Sequence, residues 1–160
     1  MHNLTILFLL VLTCPAWAQS SAGIAWVTSQ QSVNSPIRIS ANGVRGAGDV
    51  QVKGVFHLTG MLEKQFGTFQ GSDITWLTGA AGPKLIWEHR VSPLAYGLVG
   101  RSRVAVDVVR DTSLYVEAGG GVQWRLAHHW AWETTLAYTQ TRYFDLTQRQ
   151  IKLTTGIRFR

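Results

Sequence analysis

Apolar and polar side chains alternate through three segments in the last third of the chain. Leu114, Val116, Ala118, Gly120, Val122, Trp124 and Leu126 share one parity, against Tyr115, Glu117, Gly119, Gly121, Gln123 and Arg125. Trp130, Trp132, Thr134, Leu136 and Tyr138 alternate in the same way with Ala131, Glu133, Thr135, Ala137 and Thr139. The pattern returns as Ile151, Leu153, Thr155, Ile157 and Phe159 against Lys152, Thr154, Gly156, Arg158 and Arg160. A period of two means extended strands with two chemically different faces.

Segments of about ten residues with an aromatic-tipped apolar face predict strands that cross a membrane in a closed barrel, since an open sheet edge has no partner in lipid. Five further strands are expected upstream, over 23–29, 48–58, 61–69, 74–88 and 94–105. In the second, Val50, Val52, Gly54, Phe56 and Leu58 face one way and Gln51, Lys53 and His57 the other; the faces of the third are unassigned. Pro36-Ile37-Arg38-Ile39 reads as a strand extension inside a polar connection. Thr59-Gly60 is a tight-turn signal, and Pro83, which cannot donate to a ladder, predicts a bulge or break. Short turns near 59, 90 and 128 alternate with connections near 35, 72, 109 and 146, the last two read as loops over 107–112 and 144–148. That rhythm returns both termini to one end. It predicts an all-β, eight-stranded antiparallel up-and-down transmembrane barrel. Gly119-Gly120-Gly121 precedes no helix start, so it reads as a strand cluster that relieves crowding rather than a phosphate loop.

Residues 4–12 form an apolar run too short for the roughly 20 residues of a helical span. Pro15 and the small-x-small site Ala16-Trp17-Ala18 follow, so 1–18 is expected to be a signal peptide and 19–160 the barrel domain. Thr13 before Cys14 fits a lipoprotein signal poorly. Cleavage removes the one cysteine, which suits an oxidising compartment. Fifteen Lys and Arg against nine Asp and Glu give a net charge of +6. These cations are spread over strand parities rather than gathered on a helix. That weighs against nucleic acid and towards anionic headgroups, those of outer-membrane lipids and lipopolysaccharide.

At Thr78-Gly79-Ala80-Ala81-Gly82-Pro83, Pro93-Leu94-Ala95-Tyr96-Gly97-Leu98-Val99-Gly100, Gly119-Gly120-Gly121 and Leu153-Thr154-Thr155-Gly156-Ile157-Arg158-Phe159, the chain resembles the small outer-membrane β-barrel family of Gram-negative bacteria. That group includes the barrel of outer membrane protein A and many porin family proteins. The resemblance covers roughly residues 44–160 and its motifs are structural. It implies eight antiparallel strands inserted by the outer-membrane assembly machinery, and hence the cell outer membrane as location; a monomer is expected. Such chains usually end on an aromatic residue. Here Arg160 follows Phe159, so either Phe159 serves as the assembly signal or a terminal residue is missing.

With the apolar parity towards lipid, Lys84, Arg101, Arg103, Glu117, Arg125, Glu133, Lys152 and Arg158 are expected to point inward. An eight-stranded barrel is just wide enough for side chains to fill, so these ions must pair. Folding the connection near 109 puts Arg101 opposite Glu117. The turn near 128 puts Glu133 beside Arg125, and the loop near 146 brings Arg158 close to it. An ion-pair plug is the expectation, a gated ion path the alternative. Trp87, Trp124, Trp130 and Trp132 are expected at the headgroup boundary.

Catalytic chemistry is poorly represented. His128 and His129 are adjacent and read as a surface turn, not as members of a metal site that needs three or four convergent ligands. His57-Leu58-Thr59 is similar to the His-x-Ser pair of outer-membrane lipid A deacylases. Thr replaces Ser, however, and no carboxylate stands ready to orient the base. No catalytic, cofactor or metal site is expected. The sequence favours an integral outer-membrane barrel with a structural or narrow porin-like role. The alternatives are a lipid A deacylase-like enzyme and a secreted lipocalin-like barrel, whose apolar face would turn inward; the latter's Gly-x-Trp entry motif is absent.

Overall fold

Eight strands run antiparallel in sequence order: β1 (Ser20–Val33), β2 (Arg38–Lys53), β3 (Phe56–Phe69), β4 (Ser72–Ile86), β5 (Val91–Val106), β6 (Val109–Arg125), β7 (Trp130–Tyr143) and β8 (Leu146–Phe159). They are seen in a computed structural model that describes residues 20–33, 38–69, 71–106 and 108–160. β1 pairs with both β2 and β8, so the sheet closes and no edge is left. The expected signal peptide lies outside the described residues, as does most of the Pro36-Ile37-Arg38-Ile39 segment's connection; Arg38 and Ile39 themselves open β2.

Alternation decides which side of each strand meets lipid. Leu62 is 69% exposed, Ile24 64% and Leu136 59%, while Glu117 and Lys152 are 1% exposed. Val116, Trp124, Trp132, Leu153 and Ile157 share the outer surface. Apolar residues outside and ions inside are the reverse of a soluble ligand-binding barrel, which removes the lipocalin alternative.

Several boundaries differ from the sequence reading. The second strand begins ten residues earlier, at Arg38, and its expected span to Leu58 breaks at a turn over Gly54 and Val55. Gly54 supplies the positive φ (54°) that this turn requires. Thr59-Gly60 is not a turn; both residues lie within β3. The loop expected over 107–112 shrinks to the two residues between β5 and β6. Pro83 makes no bulge. Its ladder to β5 skips Gly82 and Pro83 and resumes in unchanged register, Ala81 opposite Val99 and Lys84 opposite Tyr96. The missing donor removes hydrogen bonding locally without adding a residue. The register shift lies instead between Gln51 and Lys53, beside the Gly54 turn.

The strands are 14 to 17 residues long. At about 3.3 Å per residue and a tilt of about 40°, they stand roughly 35–43 Å tall, well beyond a lipid-facing band of about 25 Å. The excess lies at one end. At the end where β1 begins and β8 finishes, the outer surface stays apolar to the turns, with Trp87, Val91, Trp124, Trp130 and Phe159. At the opposite end the outer surface turns polar: Gln30, Ser32, Arg38, Ser40, Arg103 and Arg142 face out. There the interior becomes apolar, with Ile39, Ile74, Trp76, Val104 and Tyr143 packed into a buried cluster. The face chemistry therefore inverts where the wall leaves the bilayer.

Candidate functional site

The barrel interior holds four buried cations and four buried anions, arranged as two stacked quartets. In the upper one, farther from the β1 start and β8 end, Arg45 (β2), Glu63 (β3), Glu117 (β6) and Lys152 (β8) alternate in sign. Arg45 lies 2.5 Å from Glu63 and 2.8 Å from Glu117. Lys152 lies 2.5 Å from Glu63 and 3.7 Å from Glu117. In the lower quartet, Asp49 (β2), Lys84 (β4), Glu133 (β7) and Arg158 (β8) repeat the scheme. Lys84 reaches Asp49 at 3.2 Å and Glu133 at 2.8 Å; Arg158 reaches Asp49 at 2.8 Å and Glu133 at 3.1 Å. Each cation touches two anions and each anion two cations, so both quartets are neutral. The net charge of +6 resides on the rest of the chain.

Strand parity makes this possible. Arg45 and Asp49 are four residues apart in β2, Lys152 and Arg158 six apart in β8, and every one points inward. Hydroxyls and amides add further hydrogen bonds, although Asp49 Oδ1 has no hydrogen-bond partner among the described residues. Arg45 donates to Glu117 through Nη1 and Nη2 at 2.8 and 2.9 Å. The hydroxyl of Tyr96 donates to Glu117 at 2.9 Å, and Tyr115 donates to its other oxygen. Gln65 donates to Glu63 at 2.7 Å and itself accepts from Ser29 at 2.9 Å. Ser21 donates to Asp49 at 3.2 Å. Such satisfaction is required, because an ion enclosed in low dielectric without partners is strongly disfavoured.

Glycine makes room for these side chains. A Cβ on Gly119 would come within 2.7 Å of the Tyr96 ring and 2.9 Å of Ala137. On Gly121 it would strike the backbone of Thr134 and Thr135 on β7. The three glycines of β6 thus lie mid-strand, two of them on the crowded inner wall.

Lys84, Glu117, Glu133, Lys152 and Arg158 all sit in these quartets, with Arg158 against Glu133. Arg101 and Arg103 do not: both are exposed on the outer wall. The apolar parity of β5 is carried by Leu94, Leu98 and Val104, which are buried inside, so reading apolar as outward reverses this strand. The pairing of Arg101 with Glu117 is accordingly replaced by Arg45 with Glu117. Arg125 is exposed at the rim, two residues beyond Gln123, which is the cross-strand partner of Glu133. It makes no ion pair with Glu133 among the described residues.

Arg45, Asp49, Glu63, Tyr96 and Tyr115 were missed from sequence. Neutrality is a signal that points to at least one of the two carboxylates. Lys84, Lys152 and Arg158 together with Glu117 and Glu133 leave an excess of one positive charge, and a closed lumen needs a further carboxylate to cancel it; the second is balanced by Arg45. Trp87, Trp124, Trp130 and Trp132 are exposed on the outer surface near the end where β1 begins and β8 finishes. His57 and Thr59 face the interior and are buried, while His128 and His129 sit in the exposed turn between β6 and β7.

Between the quartets lies a cavity of about 30 Å³, bordered by Arg45, Lys84, Tyr96, Glu133 and Arg158. It has room for a water or two rather than a file of them. Above the upper quartet come Gln31, Thr139 and Gln150, then the apolar cluster around Trp76.

No protein-family model matches the chain, and no curated protein matches it in sequence. Solved structures do resemble it. Neisserial surface protein A superposes with a TM-score of 0.80 at 13% identity, over 89% of this chain and 97% of that one. The fold is that of the small outer-membrane β-barrels. Ail, the attachment invasion locus protein of Yersinia pestis, gives a TM-score of 0.58 at 15% identity over 88% of this chain and 97% of its own. The outer membrane enzyme PagL gives 0.55 at 9% identity over 85% and 99%. At these identities the likeness is one of fold, and the same fold carries an enzyme as well as other barrels.

Proposed function

We propose that the protein is a plugged, non-catalytic barrel with a structural role in the outer membrane. In this reading it is exported by its signal peptide over 1–18, inserted by the outer-membrane assembly machinery, and works as a monomer among outer-membrane lipids and lipopolysaccharide. The observation that carries the reading is the pair of neutral quartets. They bind β2, β3, β4, β6, β7 and β8 together across the lumen and fill the space an ion would need. An open pore needs a continuous water path; here the lumen ions are paired with one another across the barrel. Trp87, Trp124, Trp130 and Trp132 serve as the anchor at the periplasmic headgroup boundary, where an amphipathic ring is favoured.

The enzymatic alternative draws on the likeness to PagL. A lipid-cleaving pair must meet its substrate from the outer wall, whereas His57 and Thr59 open onto the lumen. The reading is tested by fractionating cells that express the protein and incubating the purified, folded barrel with lipid A. Recovery in the outer-membrane fraction, with a band that shifts on heating and no released fatty acid, is the expected result. Release of acyl chains would establish the enzymatic reading instead.

A further inference from the structure

Most of the cations left over by the neutral lumen lie on the outer wall towards the end away from the β1 start and β8 end, at the upper edge of the apolar girdle. Lys64 (β3) and Arg103 (β5) are both cross-strand partners of Leu77 on the intervening β4. With strands about 4.8 Å apart, their Cα atoms stand roughly 10 Å from each other. Arg101 follows Arg103 on the same face of β5, about 7 Å along the strand. Arg110 (β6) is the cross-strand partner of Ala105, the next outward position above Arg103. Of the cations on this polar collar, only Arg142 has a carboxylate partner among the described residues, Asp145 at 3.2 Å. Lys64 rests its ammonium 4.9 Å from the ring of Phe66. Apolar side chains interleave with these cations and continue below them: Leu77 lies between Lys64 and Arg103, Leu114 beside Arg101, and Leu62 and Val99 are the next outward positions below Lys64 and Arg101, all exposed.

We infer that Lys64, Arg101, Arg103 and Arg110 form a docking surface for the phosphorylated headgroup of an acylated saccharolipid in the outer leaflet. Four cations spread over roughly 16 Å match an anion carrying more than one phosphate, and arginine forks suit phosphate oxygens. Their continuity with the apolar wall selects the occupant. Acyl chains attached to that headgroup run down over Leu62 and Val99, which a soluble polyanion has no means of covering. Long Arg and Lys side chains at the edge of a lipid-facing surface also reach up to headgroup level. The inference rests on the membrane placement proposed above but concerns the outer wall, not the lumen.

The test uses the full-length mature barrel folded in neutral detergent micelles, with bisphosphorylated lipid A as the probe and binding measured by native mass spectrometry and by fluorescence titration. Wild type is expected to bind lipid A, to lose affinity as salt is raised, and to bind the dephosphorylated lipid far more weakly. Each neutralised cation is expected to lower affinity about fivefold, so K64Q/R101Q/R103Q together lower it on the order of 100-fold. R90Q, in the exposed turn at the other end, is expected to change nothing. Heat-shifted gel mobility reports whether each variant is folded; should the triple variant fail to fold, the single R103Q and the salt titration of the wild type decide the matter. Undiminished binding by the folded triple variant, equal binding of the dephosphorylated lipid, or equal affinity for soluble inorganic polyphosphate would each overturn the inference. A barrel that binds lipid A in micelles but fractionates outside the outer membrane would fail the proposed location while leaving this surface intact.

Discussion

Glu117 is the most connected anion in the lumen, and its removal is the sharpest stability test. Its carboxylate accepts two hydrogen bonds from Arg45, at 2.8 and 2.9 Å, and one from each of Tyr96 and Tyr115, with Lys152 3.7 Å away. Glu117→Ala leaves Arg45 and Lys152 to share Glu63, so the upper quartet changes from neutral to a buried excess of one positive charge. Breaking a buried pair by deleting one partner costs about 3–5 kcal/mol. Arg45→Ala does the opposite and leaves an excess negative charge, at a similar cost. The double variant retains only Lys152 with Glu63, which is neutral again. Its cost is therefore expected to fall short of the sum of the two single variants by about 2–3 kcal/mol, at the upper end of coupling between contacting residues. Urea unfolding of the barrel in phospholipid vesicles, followed by tryptophan fluorescence, measures all three. A single-variant cost below about 1 kcal/mol, or strictly additive costs, would refute the claim that the quartet is held by mutual neutralisation.

Three further outcomes are expected in the same unfolding assay. Leu136→Arg, at a lipid-facing position of β7, should cost about 2–4 kcal/mol, whereas Gln140→Arg on the polar collar of the same strand should cost less than about 1; equal costs would misplace the membrane boundary. Phe144 and Asp145 form the β7–β8 turn with φ of 48° and 61°, a left-handed conformation that glycine adopts freely, Asn and Asp tolerate and bulky side chains such as Phe resist. Phe144→Asn with Asp145→Gly should therefore stabilise by about 0.5–1 kcal/mol, and destabilisation would show that Phe144 is held by contacts of greater worth. Gly119→Ala should drive Tyr96 off Glu117 and cost about 1–3 kcal/mol; a variant as stable as wild type would mean that the wall yields there.

The strands β6, β7 and β8 were legible in the sequence because most of their length crosses the apolar band. There, outward Val116, Leu136 and Ile157 contrast cleanly with inward Glu117, Thr135 and Arg158. β2 was not legible because its first half stands above that band. Arg38, Ser40 and Asn42 face out while Ile39 and Ala41 face in, so the segment resembles a polar connection with stray apolar residues. The same inversion misplaced Arg101 and Arg103, which share a strand with inward Leu98 and Val104. The β2–β3 turn escaped notice because Gly54-Val55 continues the apolar alternation of Val50 and Val52, while Thr59-Gly60 supplies a false turn signal inside a strand. Two of the upper quartet's four members and three of the lower quartet's four were visible from strand parity. The other members, Arg45, Asp49 and Glu63, lie on β2 and β3, where parity had been lost.

The central claim is that the lumen is closed by charges that neutralise one another. Single-channel recording of the wild-type barrel in a planar bilayer tests it most directly. The two quartets, with the apolar cluster of Ile39, Ile74, Trp76, Val104 and Tyr143 above them, predict no steady conductance, and rare openings at most, at moderate voltage and salt. Large, stable channels in the wild type, left unchanged by Glu133→Ala, would show instead that these charges line an open aqueous path.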